Sequence, residues 1–134
     1  PFVISQNDNF ISINTCVEVD LMGQIASEAI GTRQYSGSGG AFDYAYGALR
    51  SKGGKGVMAF TSRTAKGQSK IRCMLEAGST VTIPRNYADY IVTEYGIAHL
   101  RGRNLKERAA ALIAIAHPDC REELTAQAKK LMWL

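Results

Sequence analysis

Residues 31–56 combine glycine, hydroxyl and basic side chains in an arrangement that suits the binding of a negatively charged group. Eight of these 26 residues are glycine, and the run 37–40 (GSGG) comes directly before a segment, 42–49, that favours a short helix. Glycine lets the backbone approach a ligand closely and take positive φ angles, and we expect a positive φ at Gly40. The first N–H groups of a helix stabilise an anion placed before them. The spacing therefore predicts a site for a phosphorylated ligand or a developing oxyanion.

The charge distribution around this stretch favours ligand binding over a plain surface turn, although glycine runs also form turns. Residues 44–75 carry seven basic side chains and no acidic one, whereas residues 1–43 carry one basic and five acidic side chains. A cationic cleft concentrates anionic ligands. The glycine run matches neither G-x-x-x-x-G-K-[ST] nor G-x-G-x-x-G. A basic nucleic-acid-binding module remains the alternative from another class, but no recognised RNA or DNA motif accompanies the charge.

Length and composition indicate one globular domain. The chain has 134 residues, of which 46% are hydrophobic and 21% charged, with a net charge of +4, and a chain of this length can bury a core without disulfides. Its cysteines, Cys16, Cys73 and Cys120, are widely separated and lack metal-ligand spacing. We expect free thiols in a reducing, cytoplasmic compartment and no metal site. No apolar run approaches 18 residues, so we expect neither a membrane span nor a signal peptide.

Alternating and β-branched segments predict several strands. Residues 10–20 have the period-two pattern of one strand, and a turn at Met22-Gly23 returns residues 24–28 as a hairpin. The apolar run 56–61 is predicted to be a buried strand. Three further strands are predicted at residues 69–75, 80–83 and 89–93.

Two helices are predicted in the last third of the chain. Asn104 and Glu107 have the spacing of a capping box at the start of the first helix. His117-Pro118 ends that helix, because the residue before proline avoids the α region. Asp119 is predicted to cap the second helix, with Trp133 packing at its end. The order of elements predicts an α/β fold, a mixed sheet flanked by helices.

Several polar side chains near these helices are expected to have structural roles. Arg101, Arg103 and Arg108 are expected to be solvated near the start of the first helix. His99 and His117 have no partner at the spacing of a metal site or a catalytic triad. The aromatic residues beside the glycine run either stack on a bound base or pack the helix down, and packing is favoured: Tyr35, Phe42, Tyr44 and Tyr46.

Three blocks of sequence, in the same order, resemble the acetyl-CoA hydrolase/transferase family. They are SINTCVEVDLMGQIASEAIGTRQYSGSGGAFDYAYGA, then KGG, then VTEYGIAHLRGRNLKERAAALIAIAHPD. The similarity extends from about Asn9 to Arg121, is closest in character to 4-hydroxybutyrate CoA-transferases, and implies an open α/β CoA-transferase domain. Family members are longer and have two α/β domains, so we expect residues 1–134 to be the C-terminal domain without its N-terminal partner.

The resemblance also implies a mechanism with a covalent intermediate. In the family a glutamate attacks an acyl-CoA and becomes a glutamyl-CoA thioester, from which an incoming carboxylate takes the CoA. That glutamate belongs to a His-x-Glu-Met-like segment, which does not occur in this sequence. We therefore expect no catalytic residue in this fragment, and structural roles for Glu18, Glu28 and Glu94. CoA is expected as a substrate, with no covalently bound cofactor.

The positions that match the family's CoA-binding residues are few. Gly37, Gly39 and Gly40 match a glycine-rich loop beside the thioester, and Ser36 stands at its start. Lys66 matches a lysine that meets the CoA phosphates, although Lys70 is an alternative register. The backbone at Val17 matches a position along the CoA channel. These six are the expected CoA-binding residues: Val17, Ser36, Gly37, Gly39, Gly40 and Lys66.

The resemblance leaves the exact reaction open. The substrates implied are an acyl-CoA and a small carboxylate of the 4-hydroxybutyrate, butyrate or acetate type. An acetyl-CoA hydrolase, in which water resolves the intermediate, is an alternative, and a purely structural or dimerising domain is another. The expected partners are the missing N-terminal domain and further copies in a homo-oligomer, with no nucleic acid and no membrane.

Overall fold

The computed structural model describes residues 1–134, which form four helices and nine short strands. Glycine, proline and polar turn residues separate the elements and keep most strands short. In chain order the elements are α1 (Phe2–Ser5), β1 (Ile11–Asn14), β2 (Glu18–Asp20), β3 (Ile25–Ala26), β4 (Ala29–Ile30), β5 (Arg33–Gln34), α2 (Ala41–Arg50), β6 (Lys55–Ala59), β7 (Ile71–Arg72), β8 (Tyr90–Thr93), β9 (Gly96–His99), α3 (Leu105–Ala114) and α4 (Pro118–Lys130).

The main sheet has four strands in the order β1-β6-β8-β9, with β1, β6 and β8 parallel and β9 antiparallel to β8. Helices α2 and α3 contact one face of it. Side chains that share the core on this face include Met58, Ile91 and Ala98. The opposite face carries exposed isoleucines on both edge strands, with Ile13 69% and Ile97 68% exposed. The fold is therefore α/β with a mixed sheet, as predicted, and its helices cover one face of that sheet.

A second sheet includes two strands that precede the glycine run in the sequence. It has the order β3-β2-β7, in which β2 and β3 form the predicted hairpin and β7 pairs with β2 in parallel. Val19, Ile25 and Ile71 are almost completely buried in its core. A two-stranded ladder, β4-β5, follows and leads into the glycine run.

Two strand predictions were wrong. Residues 10–20 form two strands, β1 and β2, because the chain changes sheets between them, where Val17 N donates to Ala26 O at 2.9 Å. Residues 80–83 form no strand. Thr82 N and Ile83 N both donate to the single carbonyl of Ile25, at 2.9 and 3.1 Å, so no ladder can propagate. The predicted strand at 69–75 is reduced to Ile71–Arg72.

The predicted capping box of α3 is confirmed, whereas the predicted cap of α4 was wrong. Glu107 N donates to Asn104 Oδ1 at 3.0 Å, and Asn104 N donates to Glu107 Oε2 at 2.8 Å. The N-cap of α4 is His117, whose Nδ1 accepts from Asp119 N at 3.3 Å. Proline favours the first helical position, so Pro118 moves the start of α4 ahead of Asp119. None of the helices is both long and apolar enough to cross a membrane.

All three cysteines are free, as expected. Cys16 is buried, and desolvation raises the pKa of its thiol to about 12, opposed by the charge of Lys70. It is therefore a neutral core side chain at physiological pH and has little nucleophilic character. Cys73 and Cys120 are half-buried.

Candidate functional site

The glycine-rich loop, residues 36–40, connects β5 to α2 and is fully exposed. The positive φ lies at Gly39, at 53°, and Gly40 has a φ of −92°. The expectation for Gly40 was wrong because Gly40 is the N-cap of α2, a position with ordinary negative φ. A Cβ at Gly40 would approach the Tyr44 ring at 3.1 Å, whereas a Cβ at Gly37 would meet nothing within 4 Å. Gly37 thus faces open space, where a ligand can approach the backbone.

The start of α2 offers backbone donors to a ligand at this loop. No side chain caps the helix, and Ala41 N donates only weakly, to Ser38 O at 3.4 Å. The N–H groups of Phe42 and Asp43 have no protein partner. Such groups stabilise an anion placed before the helix. The Asp43 carboxylate in the same turn also interacts favourably with the helix dipole and competes with such an anion.

A buried carboxylate, Glu28, anchors the beginning of the loop. Its side chain is 8% exposed, and its backbone oxygen accepts from Tyr35 N at 2.8 Å and from Ser36 N at 3.3 Å. Gln34 Nε2 donates both to Glu28 Oε1 at 3.0 Å and to Ser36 O at 2.6 Å. Thr82 Oγ1 donates to Glu28 Oε2 at 2.9 Å. The backbone of Ser36 is therefore fixed on both sides.

The side chains of Ser36, Lys66 and Lys70 differ in whether they form hydrogen bonds within the protein. The Ser36 hydroxyl donates to Gly37 O at 3.1 Å. Lys66 lies in an exposed turn closed by a 2.9 Å bond from Gly67 N to Thr64 O, and its ammonium forms no hydrogen bond or ion pair. Lys70 Nζ, in contrast, donates to Thr61 Oγ1 at 3.1 Å. Of these two lysines, Lys66 is therefore the one whose ammonium has no protein partner.

The structure does not gather these residues into one cavity. A groove of about 530 Å³ is lined by Gly67 and Gln68, beside Lys66, together with side chains of α4, and it does not include the glycine-rich loop. Val17 is half-buried, and its N–H is bonded to Ala26 O. The six CoA-binding assignments stay predictions.

The three glutamates singled out in the sequence are all engaged with neighbours. Ser79 Oγ donates to Glu18 Oε1 at 2.8 Å, and Arg72 Nε lies 3.1 Å from Oε2 without hydrogen-bond geometry. Ser62 N and Oγ each donate to Glu94 at 2.8 Å. Burial raises the pKa of Glu94, but these hydrogen bonds outweigh it and leave the pKa below its usual value. With the bonds to Glu28, this pattern fits structural carboxylates.

The histidines and aromatic residues pack within the domain. His99 Nε2 lies 3.1 Å from Asp89 Oδ1, and its ring stacks on Tyr90 with centroids 4.4 Å apart. Phe42 and Tyr46 stack on each other, at 5.8 Å, and both meet the edge of Tyr87. Packing of α2 is therefore what these two aromatic residues do in this structure.

Sequence reasoning missed two long-range contacts that polar side chains make. Glu28 bonds Thr82, 54 residues away, and Arg108 bonds the backbone of Met22, 86 residues away. Arg101 and Arg103 are exposed as expected, but the expectation for Arg108 was wrong because its guanidinium holds three carbonyl oxygens. Glu28 was expected to have a structural role, but no local pattern identified Thr82 as its partner.

The structure is an α/β domain in which an exposed glycine-rich loop precedes helix α2, and comparisons identify its family. A family model described as the acetyl-CoA hydrolase/transferase C-terminal domain matches residues 1–128. The 4-hydroxybutyrate coenzyme A transferase of Clostridium kluyveri is 55% identical over 131 residues, which are 97% of this chain and 30% of that protein. The crystal structure of RipA from Yersinia pestis superposes with a TM-score of 0.92 at 45% identity, covering 100% of this chain and 30% of that one.

Hydrolases belong to the same group of relatives. An acetyl-CoA hydrolase of Candida albicans is 33% identical over 117 residues, which are 85% of this chain and 22% of that protein. The chain belongs to the acetyl-CoA hydrolase/transferase family, as the sequence blocks indicated. It spans about 30% of the length of the first curated relatives it matches.

Proposed function

We propose that this chain is the C-terminal domain of a cytoplasmic CoA-transferase that moves CoA between an acyl-CoA and a small carboxylate. The observation that carries the proposal is the family match over residues 1–128, together with 55% identity to a 4-hydroxybutyrate coenzyme A transferase. By analogy with the names of this relative and of related butyrate and butyryl-CoA:acetate transferases, the carboxylate is of the 4-hydroxybutyrate, butyrate or acetate type. The remaining domain of the enzyme would be N-terminal to this one, and the enzyme would assemble as a homo-oligomer.

The proposed reaction passes through a glutamate that lies outside these 134 residues. Its carboxylate attacks the thioester carbonyl and forms an acyl–glutamyl anhydride, and the CoA thiolate leaves. The thiolate then attacks the glutamyl carbonyl, which gives glutamyl-CoA and releases the first carboxylate. The incoming carboxylate reverses both steps, so the glutamate is regenerated and no other reactant is consumed.

The glycine-rich loop would contribute backbone donors to this chemistry. Each addition to a carbonyl creates an oxyanion, and one preorganised N–H donor stabilises such a group by about 3 kcal/mol. The open space at Gly37 and the unpartnered N–H groups of Phe42 and Asp43 support this role. The free ammonium of Lys66 suits a CoA phosphate, to which lysine binds as a point charge. Ser36, Gly39 and the Val17 backbone would line the same path.

An acetyl-CoA hydrolase is the second candidate, and the relative from Candida albicans favours it. The two activities differ in what resolves the glutamyl-CoA thioester, since a hydrolase uses water and a transferase uses a carboxylate. The contacts of the loop serve both, because both reactions develop charge on the same carbonyl oxygen.

The test is turnover of the full-length enzyme with an acyl-CoA, in the presence and absence of a carboxylate acceptor. For a transferase we expect a new acyl-CoA only when the acceptor is present, with parallel double-reciprocal plots, and no steady release of free CoA without it. Steady CoA release that does not depend on the acceptor would instead identify a hydrolase. If neither product forms with any short-chain acyl-CoA, the proposal is wrong.

A further inference from the structure

A cationic recess, the arginine recess, lies at the start of α3, and none of the residues assigned to CoA lines it. It has a volume of about 390 Å³. Its lining residues are Met22, Arg85, Asn86, Arg103, Leu105 and Arg108. We propose that the arginine recess binds a phosphate-bearing ligand through the guanidinium groups of Arg85, Arg103 and Arg108.

No carboxylate neutralises the three guanidinium groups. Ion pairs elsewhere in the chain join Arg63 to Asp119 and Arg72 to Glu18, but none involves an arginine of the recess. The acidic residue nearest in sequence, Glu107, points its Oε2 at the Asn104 N–H, 2.8 Å away, where it caps α3. Like charges gathered in one concavity repel each other, and an anion of matching charge relieves that repulsion.

Arg108 is held in place before any ligand arrives. Its Nη1 donates to Met22 O at 3.0 Å and to Arg85 O at 2.8 Å, and its Nε donates to Arg103 O at 3.1 Å. A guanidinium has five N–H donors, so those on Nη2 remain available. The ordering entropy of this long side chain has therefore already been lost on folding, which favours binding.

Because Arg108 is partly buried, water solvates its positive charge incompletely. Desolvation lowers the pKa of Arg108, and the neighbouring charge of Arg85 lowers it further. The group nonetheless stays protonated at any physiological pH. A bound anion would reverse both effects, because it supplies the counter-charge that water and carboxylates do not.

The chemistry of the lining selects the class of ligand. Guanidinium groups form paired hydrogen bonds with phosphate oxygens, and three positive charges favour a multiply charged phosphate over a single carboxylate. Asn86 adds an amide that can donate or accept. Met22 and Leu105 give the recess an apolar wall against which an organic substituent can pack. A phosphate ester or phosphoanhydride fits these features better than free acetate.

Two alanine variants test the recess without disturbing its frame. The carbonyl oxygens of Arg85 and Arg103 hold Arg108, and Arg85→Ala or Arg103→Ala leaves both carbonyls in place. Both side chains belong to exposed residues, so truncation should not unfold the domain. Arg101→Ala is the matched control, because Arg101 is also exposed and lies two residues before Arg103 but outside the recess.

The experiment is calorimetric titration of the full-length protein with pyrophosphate and, separately, with adenosine 3′,5′-bisphosphate, the nucleotide part of CoA. We expect saturable binding of at least one probe, about a tenfold rise in Kd for each recess variant, equivalent to roughly 1.4 kcal/mol, and no change for Arg101→Ala. Acetate should not compete. No saturable binding at millimolar concentrations, or an equal loss in Arg101→Ala, would overturn the proposal.

The KM for the acyl-CoA substrate then identifies the source of the phosphate. If Arg85→Ala raises this KM and leaves kcat unchanged, the recess binds the phosphates of CoA itself. If pyrophosphate binds and this KM does not change, the recess binds a separate phosphorylated ligand. Either result supports phosphate binding, and failure of the recess would leave acyl transfer by the proposed enzyme intact.

Discussion

The glycine-rich loop and the arginine recess are two ways of presenting donors to an anion. The loop offers backbone N–H groups at the start of α2, and residues 32–40 are all exposed, with the Glu28 network fixing only its beginning. The recess offers side-chain donors around Arg108, which three carbonyls from separate segments hold. The recess therefore has its own walls, whereas the loop needs a wall from elsewhere to enclose a ligand. A loop of this kind suits a site completed by another domain.

The largest effect is expected from Gly37→Val in the full-length enzyme. An added Cβ at Gly37 meets no protein atom within 4 Å, so the new side chain would enter the open space that we propose a ligand uses. We expect kcat/KM to fall about 100-fold, as for loss of an oxyanion donor, with the melting temperature nearly unchanged. Ala77→Val, at an exposed loop position elsewhere, is the control. Unchanged turnover in Gly37→Val would show that the loop is only a turn.

A smaller effect on the same loop is expected from Glu28→Gln. The new amide can place its NH₂ against the Gln34 or the Thr82 donor, so one buried bond is lost at a cost of about 1–3 kcal/mol. Denaturant unfolding would measure that loss, and kcat should fall while pyrophosphate binding at the recess stays the same. If pyrophosphate binding weakens to the same extent as kcat, the two sites are not independent.

The smallest effect is expected from Lys66→Ala. The ammonium is exposed and solvated, so its loss should raise the KM for acyl-CoA no more than about fivefold and leave kcat unchanged. High salt should reduce the difference between the two proteins. Lys70→Ala is the comparison, because Lys70 is bonded to Thr61. A larger rise in KM for Lys70→Ala would move the phosphate contact to that residue.

The dependence on salt concentration should also differ between the arginine recess and the glycine-rich loop. Three guanidinium groups act on a ligand in the recess, so the Kd for pyrophosphate should rise steeply between low and high ionic strength. Backbone N–H groups carry only partial charge, so kcat, which we propose depends on the loop, should change little. Steady-state rates at saturating acyl-CoA and titrations across a salt series would check this. Parallel salt dependence of both quantities would argue that one region dominates both.

The parts of the fold that the sequence predicted depend on residues close together in the chain. The capping box at Asn104 and Glu107, helix α2 and the central strand β6 follow local periodicity. The failures depend on distant partners. Residues 80–83 have strand-like composition, but Ile25 supplies only one carbonyl to them. The change of sheets after β1 depends on which strand comes to lie beside it, which no local pattern specifies.

The site divides in the same way. The glycine-rich loop was visible from composition, because glycines before a helix are a local signal. The φ angle of Gly40 could not be predicted from composition, because it depends on the residue at which α2 begins. The arginine recess was not visible either. Arg108 resembles any solvated helix arginine until the fold brings the Met22 carbonyl, 86 residues away, to within 3.0 Å of it.

The central claim is that this chain binds the CoA thioester while the nucleophile lies outside it. The most direct test is mass spectrometric peptide mapping of the full-length enzyme after incubation with an acyl-CoA and no acceptor, alongside activity of the isolated 134-residue chain. The account predicts a CoA adduct on a glutamate outside residues 1–134 and no acyl transfer or hydrolysis by the isolated chain. An adduct on Glu18, Glu28 or Glu94, or steady CoA release by the isolated chain, would contradict it.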